Sequence, residues 1–191
     1  MDHRDHVALI RGGITSPGGT WADIGAGEGA FTLALADVLG SRARIVAVDR
    51  DAGALRSNAE TVASRFPTVE LTTLVADFAT ELALPVLDGL IAANSLHFVP
   101  RDRQVAVIRS LATKLRPGAP FIVVEYDADR GNPWVPHPFT ATTFARLAAD
   151  AGLVDTTPLA RVPSRFLGGI YSAVSRRPSA ATRRSMSSDS V

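Results

Sequence analysis

The residues with the most chemical content are Asp23-Ile24-Gly25-Ala26-Gly27-Glu28-Gly29. They fall where a short apolar run, Trp21–Ile24, gives way to an apolar stripe of helical period. Glycines at a strand-to-helix turn let the backbone approach a ligand, and the helix that follows begins with unpaired N–H groups. Twenty residues after Gly29, at the end of the next apolar run, comes Asp49, followed by Arg50. An acid at that place can accept both hydroxyls of a ribose. Two further runs end in polar groups, Asp77-Phe78 and Asn94-Ser95-Leu96-His97-Phe98. His97 is suited to proton transfer near neutral pH or to contact with a substrate. Glu125, Tyr126 and Asp127 close another run, with Asp129 just beyond. Acidic loops of this kind are generally solvated, and no metal site is expected.

Each acid also has a purely structural use. Asp49 can cap the helix that begins near Asp51, and Asp77 can cap a loop. Asp23 can order the glycine turn by accepting its N–H groups. Asp88 sits near the start of a strand, away from the carboxyl ends where ligands collect in open α/β sheets, and reads as structural.

Composition narrows the chemistry. The 191 residues include no Cys, which excludes disulfides, thiolate metal sites and a thiol nucleophile. Nineteen of the 20 cations are Arg, and the single Lys, Lys114, lies late in a helix where a cation suits the helix C-terminus. Covalent catalysis by thiol or amine is therefore not expected. The net charge of +1 is uneven: residues 175–191 carry four Arg against one Asp, and the remaining 174 carry 16 basic and 18 acidic groups. The body is mildly acidic and does not read as a polyanion binder. Uncharged apolar stretches reach about a dozen residues, too short to span a bilayer, and the start, MDHRDH, lacks an apolar leader core. A cytoplasmic protein is expected.

The elements that must position these residues follow from periodicity. Strands are predicted at Trp21–Ile24, Arg44–Val48, Val69–Ala76, Leu87–Ala93 and Phe121–Tyr126. Helical stripes run through Arg4–Arg11, Phe31–Leu39, Leu55–Phe66, Val105–Leu115 and Phe144–Ala151. Leu153–Leu159 and Phe166–Val174 form a closing hairpin, antiparallel because no crossover separates them. Alternation at this spacing predicts a doubly wound, mostly parallel seven-stranded sheet with an antiparallel edge strand and helices on both faces. One domain spans 1–174, residues 1–19 forming an N-terminal helix and lid segment. The tail 175–191, nearly free of large apolar residues, is expected to be disordered.

By itself, Gly25-x-Gly27-x-x-Ala30 also satisfies the loose dinucleotide fingerprint. Gly25-x-Gly27-x-Gly29 preceded by Asp23 resembles motif I of class I S-adenosylmethionine-dependent methyltransferases. Three later stations agree with that resemblance. Val75-Ala76-Asp77-Phe78 matches the place where such enzymes set an acid on the exocyclic amine of adenine, with the next residue packed on the ring. Asn94-Ser95-Leu96-His97-Phe98 looks like the "xxLHH" form of motif IV, and Lys114 to Phe121 resembles the "LkPGG" turn into strand five. The likeness covers roughly residues 15–175 and is closest to the small methyltransferase domains of the 11/25 kind.

The resemblance implies S-adenosyl-L-methionine as cofactor. It implies binding by Asp23, Gly25, Ala26, Gly27, Gly29, Asp49, Arg50, Asp77, Phe78, Asn94 and Ser95, with His97 as catalytic candidate. A small-molecule acceptor is expected. The strand-four ending is not the Asn/Asp-Pro-Pro-aromatic motif of nucleic-acid amino methylases, and the absence of Cys removes cytosine C5 chemistry. Two alternatives stand beside it. A nicotinamide-dependent oxidoreductase lacks one common signature, since Ser110, not Tyr, stands four residues before Lys114. A binding module that keeps the fold without catalysis is the other.

Overall fold

The computed structural model describes residues 1–164 and 167–179. The hairpin start expected at Phe166 and the tail beyond Ser179 lie outside the described residues. Seven strands are present: β1 (Gly19–Ile24), β2 (Ala43–Asp49), β3 (Glu70–Val75), β4 (Gly89–Ala93), β5 (Pro120–Tyr126), β6 (Val154–Pro163) and β7 (Gly169–Arg176). They form one sheet in the order β3-β2-β1-β4-β5-β7-β6. The first five are parallel, and β7 pairs antiparallel with both β5 and β6. The reversed strand is thus next to the outermost, and β6 closes the edge. The chain returns from β3 to β4 on the far side of β1, which puts the topological switch point between β1 and β4.

Period-2 alternation divides the core. Leu90, Ala92, Phe121 and Val123 face one side, with Ile108, Leu111 and Phe144 from α4 (Arg101–Ala112) and α5 (Ala141–Asp150). Ile91, Ala93, Ile122 and Val124 face the other, with Leu9, Ile10 and Leu35 from α1 (His3–Arg11) and α2 (Ala30–Leu39). The third helix of that face, α3 (Ala52–Arg65), sets Leu55 against Ala26 and Ala47. Burying about a dozen such side chains at roughly 1.5–3 kcal/mol each supplies most of the force that flattens the helices on the sheet. α2 is apolar on nearly all sides because α1 covers its outer face. α1 buries Val7, Leu9 and Ile10 and is a packed part of this layer.

Several boundaries differ from the sequence reading. β4 starts at Gly89, where the Trp21 indole occupies the space a Cβ would need, 2.3 Å away. Leu87 instead bridges to Leu115, and Asp88 Oδ2 accepts from the Thr20 N–H at 2.8 Å. Asp88 also pairs with Arg116 at 2.6 Å and closes the amino end of the sheet. Lys114 lies in the turn just past α4, its N–H donated to Leu111. β7 runs on to Arg176, two residues into the segment expected as tail.

Candidate functional site

Glycine shapes the turn after β1. Gly25, Gly27 and Gly29 have φ of 72°, 51° and 94°, the left-handed region where a side chain is strained. A Cβ on Gly25 would stand 2.4 Å from the Ser95 Cβ, so β1 and the segment after β4 meet here at backbone contact. The two strand ends diverge beyond that contact and leave a cleft of about 530 Å³.

Most of the sequence-derived residues converge on it: Gly25, Gly27, Asp49, Arg50, Asp77, Phe78, Asn94 and Ser95 all line the cleft. Asp23, Ala26, Gly29 and His97 do not. Ala26 is buried beside Ala47 and Leu55, so it offers a ligand no more than its main chain. Gly29 caps α2 from behind the turn. Glu28, Phe98 and Arg103 also line the cleft, and their types gave no signal in the sequence.

The acids around the cleft have separable jobs. Asp49 Oδ2 accepts from the Gly27 N–H at 2.8 Å and Oδ1 from the Asp51 N–H at 2.9 Å. The helix-cap role falls to Asp51, which accepts from Gly53 and Ala54 and starts α3. A carboxylate has about four acceptor sites, so Asp49 retains capacity for a ligand. Asp77 Oδ1 accepts from the Ala79 N–H at 2.8 Å, a local Asx turn that leaves its second oxygen outside that bond. Asn94, at φ 50°, and Ser95 present buried Oδ1 and Oγ atoms with no partner among the described residues. Buried polar atoms without partners are rare and costly. Their position on the cleft gives a ligand's polar groups something to meet.

Among the described residues two carboxylates are fully buried. Asp23 accepts at Oδ2 from the Thr32 hydroxyl at 2.7 Å, and Thr32 accepts from Asn58 Nδ2 at 2.8 Å. Burial pushes the Asp23 carboxyl up to about 7; the Thr32 hydroxyl opposes that rise and the Asp49 charge adds to it. Asp23 takes no N–H from the glycine turn; that bond belongs to Asp49. Glu125, at the end of β5, holds His97. His97 Nδ1 lies 2.9 Å from Oε1 and 3.1 Å from Oε2, and the His97 main-chain N–H donates to Oε2 at 3.2 Å. Tyr126 donates its N–H to Oε1 at 2.8 Å. The His97 ring is 3% exposed and packs between Phe98 and Tyr126, with centroids at 4.3 and 5.8 Å. Its carbonyl accepts from His137, and Gln104 clamps the same loop through the Val99 and His137 carbonyls.

Asn58 and Thr32 were not found from sequence. The one available signal was a polar residue beside apolar Leu55, Ala59 and Val62 on a helical stripe. Among the described residues no group of three or more His, Asp or Glu is placed to hold a metal ion. Asp127 is paired with Arg161 and accepts from the Ala141 N–H.

This strand order, with a glycine turn and acid-lined cleft at the switch point, is the fold of the class I S-adenosylmethionine-dependent methyltransferases. A methyltransferase domain family matches residues 22–118, and the chain belongs to that family. It is 26% identical over 122 residues to the carboxy-S-adenosyl-L-methionine synthase of Geobacter sp. (strain M21), a match covering 63% of this chain and 50% of that protein. The chain thus spans about half the length of this curated relative. Among solved structures it is similar to the Burkholderia thailandensis 1,6-didemethyltoxoflavin-N1-methyltransferase with bound 1,6-didemethyltoxoflavin and S-adenosylhomocysteine. That likeness has a TM-score of 0.71 and 19% identity and covers 92% of this chain and 78% of that one. A SAM-dependent methyltransferase from Aquifex aeolicus gives 0.68 and 18%, covering 90% and 89%. The family assignment identifies S-adenosylmethionine as the cofactor and removes the nicotinamide reading. The residues present fit that group: Asn94 Oδ1 and Ser95 Oγ await polar partners, and the Gly25 backbone leaves the cleft floor free of side chain.

Proposed function

We propose that the protein transfers the methyl group of S-adenosylmethionine to a small-molecule acceptor by in-line displacement. The observation that carries this is the convergence of Asp49, Asp77, Asn94 and Ser95 around the bare glycine turn. Asp49 takes the ribose hydroxyls, Asp77 the adenine amine and Phe78 a face of the ring. Asn94, Ser95 and the main chain of Gly25 to Gly29 hold the remainder, Arg50 borders the ribose side, and the Asp23 carboxylate offsets the cofactor's cationic amino end. The bound cofactor supplies an activated methyl on a sulfonium. When bound, it would offer that carbon for in-line displacement by the acceptor's lone pair, with sulfur keeping the electron pair. The chain's main contribution is alignment.

His97 serves the acceptor side. Glu125 engages Nδ1 and leaves Nε2 as the nitrogen that would take the acceptor's proton where the nucleophile arrives protonated, a role that requires the buried ring to be uncovered to the acceptor. A small-molecule acceptor is supported by the mildly acidic body, which disfavours nucleic acid, and by the small-molecule enzyme among the structural relatives. No helix among the described residues is long and apolar enough to cross a membrane, and we assign the protein to the cytoplasm.

Calorimetry with S-adenosylhomocysteine tests the cofactor site. Transfer of labelled methyl to a panel of phenols, amines and carbon acids tests the activity. No binding in the wild type overturns the reading. Binding without transfer to any of the panel favours a non-catalytic module.

A further inference from the structure

The interior beneath the glycine turn holds a polar chain that none of the assigned roles uses. Asn58 is fully buried in α3, at an apolar stripe where a Leu would pack more cheaply. Its amide points into the space behind Gly29: a Cβ on Gly29 would stand 2.2 Å from Asn58 Oδ1. That oxygen has no conventional partner and rests against the glycine Cα–H. The amide nitrogen faces the other way and donates to Thr32.

The placement of the Asn58 amide sets the direction of the chain. An amide NH2 only donates, so Thr32 must accept from Asn58 and has one proton left. That proton goes to Asp23 Oδ2, which must therefore be an acceptor. With the Asn58 amide turned over, its oxygen would take the Thr32 proton, and Asp23 would have to be protonated to complete the chain. Asp23 has little other support. Thr32 on α2 and Asp49 on β2 are the polar groups that bear on it, and its register neighbours are Ala47 and Ile91. Among the described residues no cation offsets its charge.

We propose that Asn58 and Thr32 are positioning residues for the cofactor: the chain Asn58 Nδ2 to Thr32 Oγ1 to Asp23 Oδ2 keeps the Asp23 carboxyl anionic behind the cleft, where its charge acts on the cofactor's cationic amino end. This rests on the cofactor role proposed for Asp23. It gives two residues outside the cleft control over affinity through the charge state of a third. The burial-driven rise of Asp23 to about 7 makes that control effective in the neutral range, because small changes in donation there alter the ionised fraction.

Two measurements separate the chain from the reading it rests on. In ligand-free protein, carboxyl-carbon NMR follows the titration of Asp23. Thr32→Val and Asn58→Leu are expected to move its midpoint upward by about one unit, the worth of a lost donor to a charged group, whereas Thr32→Ser leaves it in place. An unmoved midpoint overturns the proposal, and Asn58→Leu carries the test where Thr32→Val does not fold. In calorimetry with S-adenosylhomocysteine at pH 6, 7 and 8, wild-type affinity should rise with pH. Thr32→Val should bind about fivefold more weakly at pH 7, the gap narrowing to about twofold by pH 8, as a one-unit shift requires. Loss of affinity by the same factor at all three pH values marks packing alone and overturns the charge role. Absence of binding in the wild type, with the NMR midpoint still moving in the variants, overturns the cofactor reading instead.

Discussion

Asp23 at the end of β1 and Glu125 at the end of β5 are the two carboxylates, among the described residues, that folding removes from water most completely. They are handled in opposite ways. Glu125 accepts from two main-chain N–H groups and from an imidazole that can itself carry charge. Such a saturated carboxylate organises its surroundings. Asp23 accepts from one hydroxyl and has an acid, Asp49, as its nearest charge. Within the protein it is the less completely paired of the two, and on the proposed reading the cofactor's cationic end is its partner.

The largest expected effect breaks the saturated side. Glu125→Leu leaves the His97 ring and two main-chain N–H groups buried and unpaired, and should cost about 3–5 kcal/mol in chemical denaturation. A loss below about 1 kcal/mol would show that Glu125 does not organise this region. Next is the junction between β1 and the segment after β4. Gly25→Ala combines a left-handed backbone with a methyl 2.4 Å from Ser95 and should cost about 2–4 kcal/mol and abolish S-adenosylhomocysteine binding. Unchanged calorimetry would show that the turn moves aside easily.

Asp23→Asn sharpens the contrast, since it should stabilise the ligand-free protein. The folded-state value of Asp23, about 7, lies above its ordinary 3.8, so this group's contribution to stability is full below pH 3.8 and is lost as pH rises through 7. Removing the charge should therefore leave stability unchanged near pH 4 and raise it by about 1–3 kcal/mol at pH 8, while ligand affinity falls. A thermal-denaturation series across pH checks the sign, and a variant destabilised at pH 8 contradicts the picture of a less completely paired carboxylate. Asp49→Ala should weaken S-adenosylhomocysteine by about 1–3 kcal/mol through the lost ribose pair. The smallest effect serves as a baseline. Arg44 pairs with Glu70 in the open, and Arg44→Ala should change stability by no more than about 0.5 kcal/mol.

These comparisons also mark how far the sequence could be read. The glycine turn, Asp49, Asp77 and the Asn94-Ser95 pair were legible because each ends a strand, and a parallel sheet brings carboxyl ends to one edge. Asp49 and Asp51 were not separable by type, because a cap and a ribose ligand look alike until the Gly27 and Gly53 N–H groups are placed. His97 was visible as chemistry but not as a buried ring, since Glu125 lies 28 residues away. The antiparallel strand was legible from loop length, but its place between β5 and β6 was not.

What the sequence by itself determined is local and periodic: which runs are strands and helices, where glycine must bend the chain, and which acids sit at the turns. These follow from the 2.0 and 3.6 residue periods and from the steric freedom of glycine, which act within a few residues. What only the tertiary structure decided is which of those acids are desolvated and who their partners are. Desolvation depends on the summed packing of elements distant in sequence. Asn58 and Thr32, unremarked on their own helices, join Asp23 in one polar chain only when α2 and α3 close over the end of β1.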